Sequence, residues 1–325
     1  MEKIEKTDVV MGVDIGGTNT VFGLLDGRGK IYLKETIPTN PQESAPQLFD
    51  RLFSRYHELT ASMPENLRLI GIGIGAPNGN YYKGTVEHPP NLSWAVVNVL
   101  DIVREHVSVP IAITNDANAA ALGEMMFGAA KGMKDFVEIT LGTGLGSGIV
   151  VNGQIVYGFD GFAGEIGHTT IERNGRLCGC GKRGCLEAYA SATGIVKTVT
   201  ELLGETCKGN AFRSIPTQEL TSFRIYEEAK KGNPIALAAF NYTGRLLGEA
   251  LANTVAHLSP EAIILFGGLA KAGDFLFKPV KEHMEKNLFP IFKNKVKILP
   301  SALIDGDAAM LGSGALIFAK IAAAG

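Results

Sequence analysis

Three thiols and an imidazole, His168, Cys178, Cys180 and Cys185, stand close together in the chain, the thiols within Cys178-Gly179-Cys180-Gly181-Lys182-Arg183-Gly184-Cys185. Thiolates and a neutral imidazole are the donor set of a closed tetrahedral Zn²⁺ site, and the glycines let a short loop fold round one ion. With the fourth position filled, the expected zinc is structural, not catalytic. Cys207 stands alone further on, and in a reducing compartment the crowding of the other three suggests metal, not disulfide. Glu165 lies three residues before His168, and Glu187 two after Cys185. Metal binding would draw both carboxylates towards one locus, a polar pocket in which they could accept from several hydroxyls at once.

A second set of residues suits phosphate. The turn Asp14-Ile15-Gly16-Gly17-Thr18-Asn19 and the turn Gly142-Thr143-Gly144-Leu145-Gly146-Ser147-Gly148 each follow an apolar, β-branched segment, and Gly267-Gly268 follows another. Glycine lets backbone N–H groups approach phosphate oxygens closely and point at them as a nest. Asp116 sits just past an apolar strand, where open α/β sheets place ligand-binding groups. It reads as a helix N-cap or, with Asn115, as a base for an attacking hydroxyl, and the two roles can coexist. No GxxxxGK[ST] motif occurs, which excludes a P-loop kinase. Gly71-x-Gly73-x-x-Ala76 fits a dinucleotide fingerprint in form, but Pro77, Asn78 and Gly79 stand where a helix should open.

The elements that must carry these residues follow from hydrophobic patterning. Residues 9–13 and 21–25 read as a β-hairpin round the first glycine turn. Residues 44–59 read as a helix, with Ser44 as N-cap and Pro46 in its first turn. Strands are expected at 69–74, 111–114, 136–141, 149–151 and 262–266, and helices at 117–126, 221–231, 233–257 and 307–323, with an exposed loop over 205–218. Strand, glycine-threonine turn and strand occur twice, which reads as an internal repeat with a second lobe restarting near residue 117. The expected domains are therefore 1–116 plus 307–325, and 117–306.

With 325 residues, two lobes are the natural division. A formal net charge of −2, with 20% charged and 46% hydrophobic residues, gives nucleic acid nothing to bind. Residues 1–17 lack the apolar run of a signal peptide, and no stretch approaches a membrane span, so a cytoplasmic protein without membrane contact is expected.

Together these residues resemble the ROK family of bacterial sugar kinases and repressors, most closely its zinc-containing glucokinases. The resemblance rests on Asp14 to Asn19, Asn115-Asp116, Leu141-Gly142-Thr143-Gly144-Leu145-Gly146, Gly164-Glu165-Ile166-Gly167-His168 and Cys178 to Ala188. It covers nearly the whole chain. It implies a two-lobed α/β, actin-like ATPase (ribonuclease H-like) fold with a central cleft for ATP and sugar. The implied reaction is ATP-dependent phosphorylation of a hexose, glucose to glucose 6-phosphate, in a homodimer or homotetramer.

Carried over residue by residue, the resemblance makes Asp116 the general base. It gives the sugar hydroxyls to Asn78, Asn91, Asn115, Glu165, His168 and Glu187, with His168 holding zinc through its other nitrogen. Gly16, Gly17, Thr18, Asn19, Thr143 and Gly144 would meet phosphates, Gly267 and Gly268 would flank the adenosine, and Asp14 would position Mg²⁺ through water. Two departures are plain: Asn19 stands where family glucokinases often have lysine, and Asn78 where they often have glycine. The alternatives are an N-acetylhexosamine kinase or fructokinase, a non-catalytic sugar sensor, or a repressor. Only thirteen residues precede Asp14, too few for a DNA-reading module.

Overall fold

The computed structural model describes residues 6–63, 66–205, 211–303 and 307–324; Cys207 lies outside them. In chain order the first elements are β1 (Thr7–Ile15), β2 (Asn19–Leu25), β3 (Ile31–Pro38), α1 (Ala45–Thr60), β4 (Leu67–Gly75), β5 (Gly79–Asn80), β6 (Thr85–Glu87), β7 (Val96–Asn98), α2 (Val99–Arg104), β8 (Ile111–Thr114) and α3 (Asp116–Phe127). There follow β9 (Phe136–Leu141), β10 (Leu145–Val151), β11 (Gln154–Ile155), α4 (Ala192–Glu205), α5 (Ser222–Lys230), α6 (Pro234–Leu258), β12 (Ala262–Phe266), α7 (Asp274–Asn287), β13 (Lys297–Pro300) and α8 (Ala308–Ala324). No helix among the described residues is long and apolar enough to cross a membrane.

The chain divides into two compact units, residues 1–132 with 155–163 and 302–325, and residues 133–154 with 164–301. The first break therefore falls after Gly132, not at 116/117, and α3 belongs to the first unit. The cause is the packing of α3 on α8: a Cβ at Gly312 would lie 2.1 Å from the Ala119 carbonyl oxygen. Eight consecutive residues of α3, Ala117 to Glu124, are buried, as befits a helix enclosed on all sides.

In the first unit the sheet runs β3-β2-β1-β4-β8, with β1 antiparallel to β2 and parallel to β4. Alternation along β1 sends Val9, Met11, Val13 and Ile15 to one face, where they join Leu48, Phe49, Leu52 and Phe53 of α1. Val10 faces the other way, among Leu311, Ala315 and Ile317 of α8. Asp14 shares that second parity. Glycine lines the α8 side: a Cβ at Gly12 would stand 2.1 Å from the Met310 carbonyl oxygen, and one at Gly73 1.8 Å from that of Ser313. The fingerprint-like glycines of β4 thus admit a helix backbone, and a strand, not a helix, follows at Gly79–Asn80.

In the second unit the sheet runs β11-β10-β9-β12-β13. It repeats the first sheet's plan: an antiparallel hairpin, then two parallel strands. The second glycine turn is shorter than its glycine content suggests, because Gly146 and Gly148 lie in β10, paired with Thr140 and Glu138. Helices α4 to α7 supply most of the core beside the sheet, through Ile195, Ile225, Phe240, Leu247 and Val280. The stretch expected as an exposed loop contains 3₁₀ turns at Ala211–Ser214 and Thr217–Glu219, and Phe212 is buried.

Gly73→Ala should cost about 1–3 kcal/mol by overpacking α8 against β4. Urea unfolding checks this, and an unchanged midpoint would show that the helix can retreat from the sheet at no cost.

Candidate active site and metal loop

In the first unit, Asp14, the last residue but one of β1, stands opposite Gly75 of β4. A Cβ at Gly75 would touch the Ala119 side chain and lie 3.9 Å from the Asp116 Cα. The two aspartates therefore share one corner. Asn115, not Asp116, caps α3: its side-chain oxygen accepts from the Asn118 N–H at 3.0 Å. Asp116 Oδ1 accepts from the Ala117 N–H at 2.9 Å, which leaves its other oxygen outside the cap. Asp116 is exposed to solvent, yet the protein packed around it raises its carboxyl above the ordinary range, outweighing the backbone N–H bonds. Burial, then the neighbouring charge of Asp116, pushes Asp14 from 3.8 up to about 7.

The first glycine turn is anchored from behind. Thr39 donates its hydroxyl to the Gly16 carbonyl at 2.8 Å and its N–H to that of Thr18 at 2.9 Å. Thr18 and Asn19 are exposed. Asn91 lies against the turn, since a Cβ at Gly17 would come within 2.7 Å of the Asn91 Cβ. Its loop is pinned by buried Leu92 and by Trp94, whose indole N–H donates to the Glu43 carbonyl at 2.9 Å. Asn78 has φ 53°, a left-handed conformation that asparagine tolerates and glycine prefers, which accounts for asparagine at this position. Its amide donates to the carbonyls of Glu87 and His88 at 3.0 and 3.1 Å, so only its side-chain oxygen is left to face a ligand.

In the second unit, the donor atoms of His168, Cys178, Cys180 and Cys185 all lie within 4.8 Å of one another. Cys180 and Cys185 sulfurs are 3.7 Å apart, and His168 Nδ1 is 3.7 Å from Cys178 Sγ. A tetrahedron with metal–sulfur bonds of about 2.3 Å has edges of about 3.8 Å, so these four residues fit one metal ion. His168 turns Nδ1 to the thiols and Nε2 towards Glu165, 3.9 Å away.

Glu187 ties this loop to the second glycine turn. Its Oε2 accepts from the Leu145 N–H at 3.0 Å, and Oε1 lies 3.4 Å from Cys178 Sγ. A Cβ at Gly144 would stand 2.4 Å from Oε2, so any side chain there would push the carboxylate aside. The first residues of α4 hold the turn from behind, through Ala192 N–H to the Gly142 carbonyl at 2.8 Å and Thr193 hydroxyl to that of Thr143 at 2.9 Å. Gly267, at φ 95°, brings Gly267-Gly268 against the end of β9, with the Leu269 N–H donating to the Leu141 carbonyl at 3.1 Å.

A family model described as the ROK family matches residues 10–320. The chain belongs to the ROK family. A glucokinase of Halalkalibacterium halodurans is 38% identical to this ROK protein over 317 residues, 94% of each chain. A xylose repressor of Caldicellulosiruptor bescii is 31% identical over 96% of this chain and 78% of the repressor. A ROK family glucokinase from Streptomyces griseus, solved in complex with glucose and AMPPNP, matches in fold with a TM-score of 0.79 at 32% identity, covering 95% of this chain and 98% of that one. The fold of this ROK protein is thus the actin-like ATPase fold of the family's sugar kinases.

Two supporting residues carry no motif signal. Thr39 lies far in sequence from the turn it anchors, and nothing local marks it. Ser147, buried between two glycines, donates its hydroxyl to the Gly164 carbonyl and accepts from the Ile166 N–H at 3.2 Å, fixing the backbone on both sides of Glu165. A polar residue on the inward parity of β10 was the available clue.

The Asp14 shift fixes a pH dependence. Because the folded state holds this proton more tightly than the unfolded chain, the stabilisation is complete below the unfolded value near 4 and is lost as pH rises through about 7. Asp14→Asn should therefore flatten the fall of Tm between about pH 5 and 8 and melt a few degrees higher than wild type at the upper end. An equally steep fall in the variant would remove Asp14 as its source.

Proposed function

We propose that this ROK protein is a sugar kinase that transfers the γ-phosphate of ATP to a hydroxyl of glucose. The observation that carries the reading is the aspartate corner: Asp116 has one carboxylate oxygen outside the α3 cap and a raised proton affinity. Its setting is a chain 32% identical, over 95% of its length, to a glucokinase solved with glucose and AMPPNP. In the xylose repressor the matching part is 78% of a longer chain, and turnover is what separates the two readings.

Asp116 takes the proton of the attacking sugar hydroxyl as the oxygen–phosphorus bond forms and the bond to ADP breaks, and then releases that proton to solvent. Its raised carboxyl serves this role, since a base works best when its pKa approaches the operating pH. Asn115 gives its oxygen to the helix and keeps its amide hydrogens for the sugar. Asn91 and Asn78, with Glu165, His168 Nε2 and Glu187, bind further hydroxyls. Gly17, Thr18 and Asn19 meet phosphate oxygens through backbone N–H groups and short side chains, with Gly16 closing their turn through its N–H on the Asn19 carbonyl at 3.0 Å; Thr143 and Gly144 meet phosphate likewise, while Gly267 and Gly268 lie along the adenosine.

The corner suits Mg²⁺, because Asp14 is a hard oxygen donor held beside a second carboxylate, that of Asp116. When bound, Mg²⁺ neutralises phosphate charge. With asparagine at position 19, that ion and the turn amides carry the phosphate charge that a lysine would share. Zinc is the ion that the three thiols and one imidazole select. A metal-bound Cys178 thiolate has no proton to donate, which frees Glu187 Oε1 for a sugar hydroxyl.

A coupled assay over glucose, mannose, fructose, N-acetylglucosamine and N-acetylmannosamine tests the reading, with glucose expected to give the highest kcat/KM. No turnover with any of them would sink it in favour of a sugar-responsive binding protein. Asp116→Asn should lower kcat by about two to four orders of magnitude with glucose affinity largely kept. Purified protein should carry about one zinc per chain, and Cys180→Ser should lose both the metal and most activity. Full activity in a verified zinc-free sample would break that link.

A further inference from the structure

Arg176 lies two residues before the first cysteine of the loop and has no part in the donor set. Its side chain is only 10% exposed, and its guanidinium is engaged on every side. Nε and Nη2 meet the Glu201 carboxylate of α4 at 2.8 and 2.5 Å. Nη1 donates to the carbonyls of Ala188 and Gly194 at 3.0 and 3.1 Å, and Nη2 to the Thr198 hydroxyl at 3.0 Å. The guanidinium carbon lies 4.4 Å from the centroid of the Tyr189 ring, and the Tyr189 hydroxyl in turn accepts from the Arg176 N–H at 2.7 Å.

We propose that Arg176 is the positioning residue for Glu187, holding it independently of the metal. Glu187 sits in a one-turn 3₁₀ segment, Leu186–Ala188, too short to fix its own direction. The metal ligand Cys185 restrains the chain two residues before Glu187, and the Ala188 carbonyl, gripped by Arg176, restrains it one residue after. The same guanidinium grips Gly194, next to Ala192 and Thr193, which hold the Gly142-Thr143 carbonyls. One side chain thus fixes the direction of the carboxylate and the start of the helix behind the glycine turn. Lysine cannot replace it, because a point ammonium has no planar fork to serve two carbonyls and a carboxylate together.

The proposal rests on the sugar kinase reading, so the experiment begins with glucose KM, kcat and metal content of the wild-type protein. Arg176→Lys should raise the glucose KM about ten- to a hundredfold, as expected for a displaced binding carboxylate, and keep kcat within about threefold, since Asp116 is untouched. Zinc should stay at the wild-type level. If Arg176 acts through Glu187, the Arg176→Lys change made in a Glu187→Gln background should add almost no further loss. Additive losses, a KM rise that tracks lost zinc, or an unchanged KM would each overturn the assignment. Should Arg176→Lys fail to fold, the pair Glu201→Gln and Thr198→Val loosens the same guanidinium from α4 and is read by the same cycle. Wild-type protein that turns over no sugar would instead remove the kinase reading, and the proposal with it.

Discussion

The corner shared by Asp14 and Asp116 exists because α3 and α8 approach β1 and β4 more closely than any side chain would allow. At Gly12 and Gly73 a Cβ would fall within 2.1 Å of α8 carbonyl oxygens, and at Gly75 it would press on Ala119. Glycine in strand interiors ordinarily weakens a sheet. Here it lets two helices lie on the backbone itself, and the reward is position. The first residue of α3 arrives beside the last residues of β1, and two carboxylates are held where burial and mutual repulsion raise the proton affinity of Asp14 to about 7. Such a pair is unfavourable for stability and suited to phosphoryl transfer, in which a cation and a proton acceptor are wanted side by side.

The second unit solves a different problem by chain crosslinks. Its polar residues sit on loops and single turns, with little regular structure to aim them. His168, Cys178, Cys180 and Cys185 offer an ion four anchors, the backbone β-bridge between Thr170 and Cys185 closes the base of the loop, and Glu187 reaches from the loop to the Leu145 N–H. The metal loop and the glycine turn are therefore one connected object. A change in one is felt in the other through a carboxylate whose two oxygens face each of them.

Much of this was legible in the sequence, because the residues that carry chemistry are also those with distinctive types and spacing. The histidine–cysteine cluster and the first glycine turn lie where the motifs put them, and β8, β9 and β12 have the expected bounds, whereas the second turn gives up Leu145 to Gly148 to β10. What stayed hidden was set by distant packing. The break between units follows the burial of α3 on α8, which alanine-rich composition alone cannot announce. The glycines of β4 imitate a nucleotide fingerprint while serving a helix at the other end of the chain. Asn115 took the cap expected of Asp116 because a cap residue needs extended backbone, and Asn115 has it at φ −68° and ψ 151°. The short strands β5 to β7 fall below the length at which alternation can be read.

The two glycine turns share a physical requirement that no local motif states. A loop that meets phosphate with its amides must turn its carbonyl oxygens elsewhere, since an oxygen facing the anion would cancel the attraction of the neighbouring N–H. In the first turn the Gly16 and Thr18 carbonyls are both taken by Thr39. In the second, those of Gly142 and Thr143 are taken by Ala192 and Thr193. The donors come from unrelated places, the residue after β3 in one unit and the start of α4 in the other, although the sheets around them have the same strand order. The repeated hairpin thus preserves the shape of the turn, while what draws its carbonyls away from the open side is a tether that each unit has from its own surroundings.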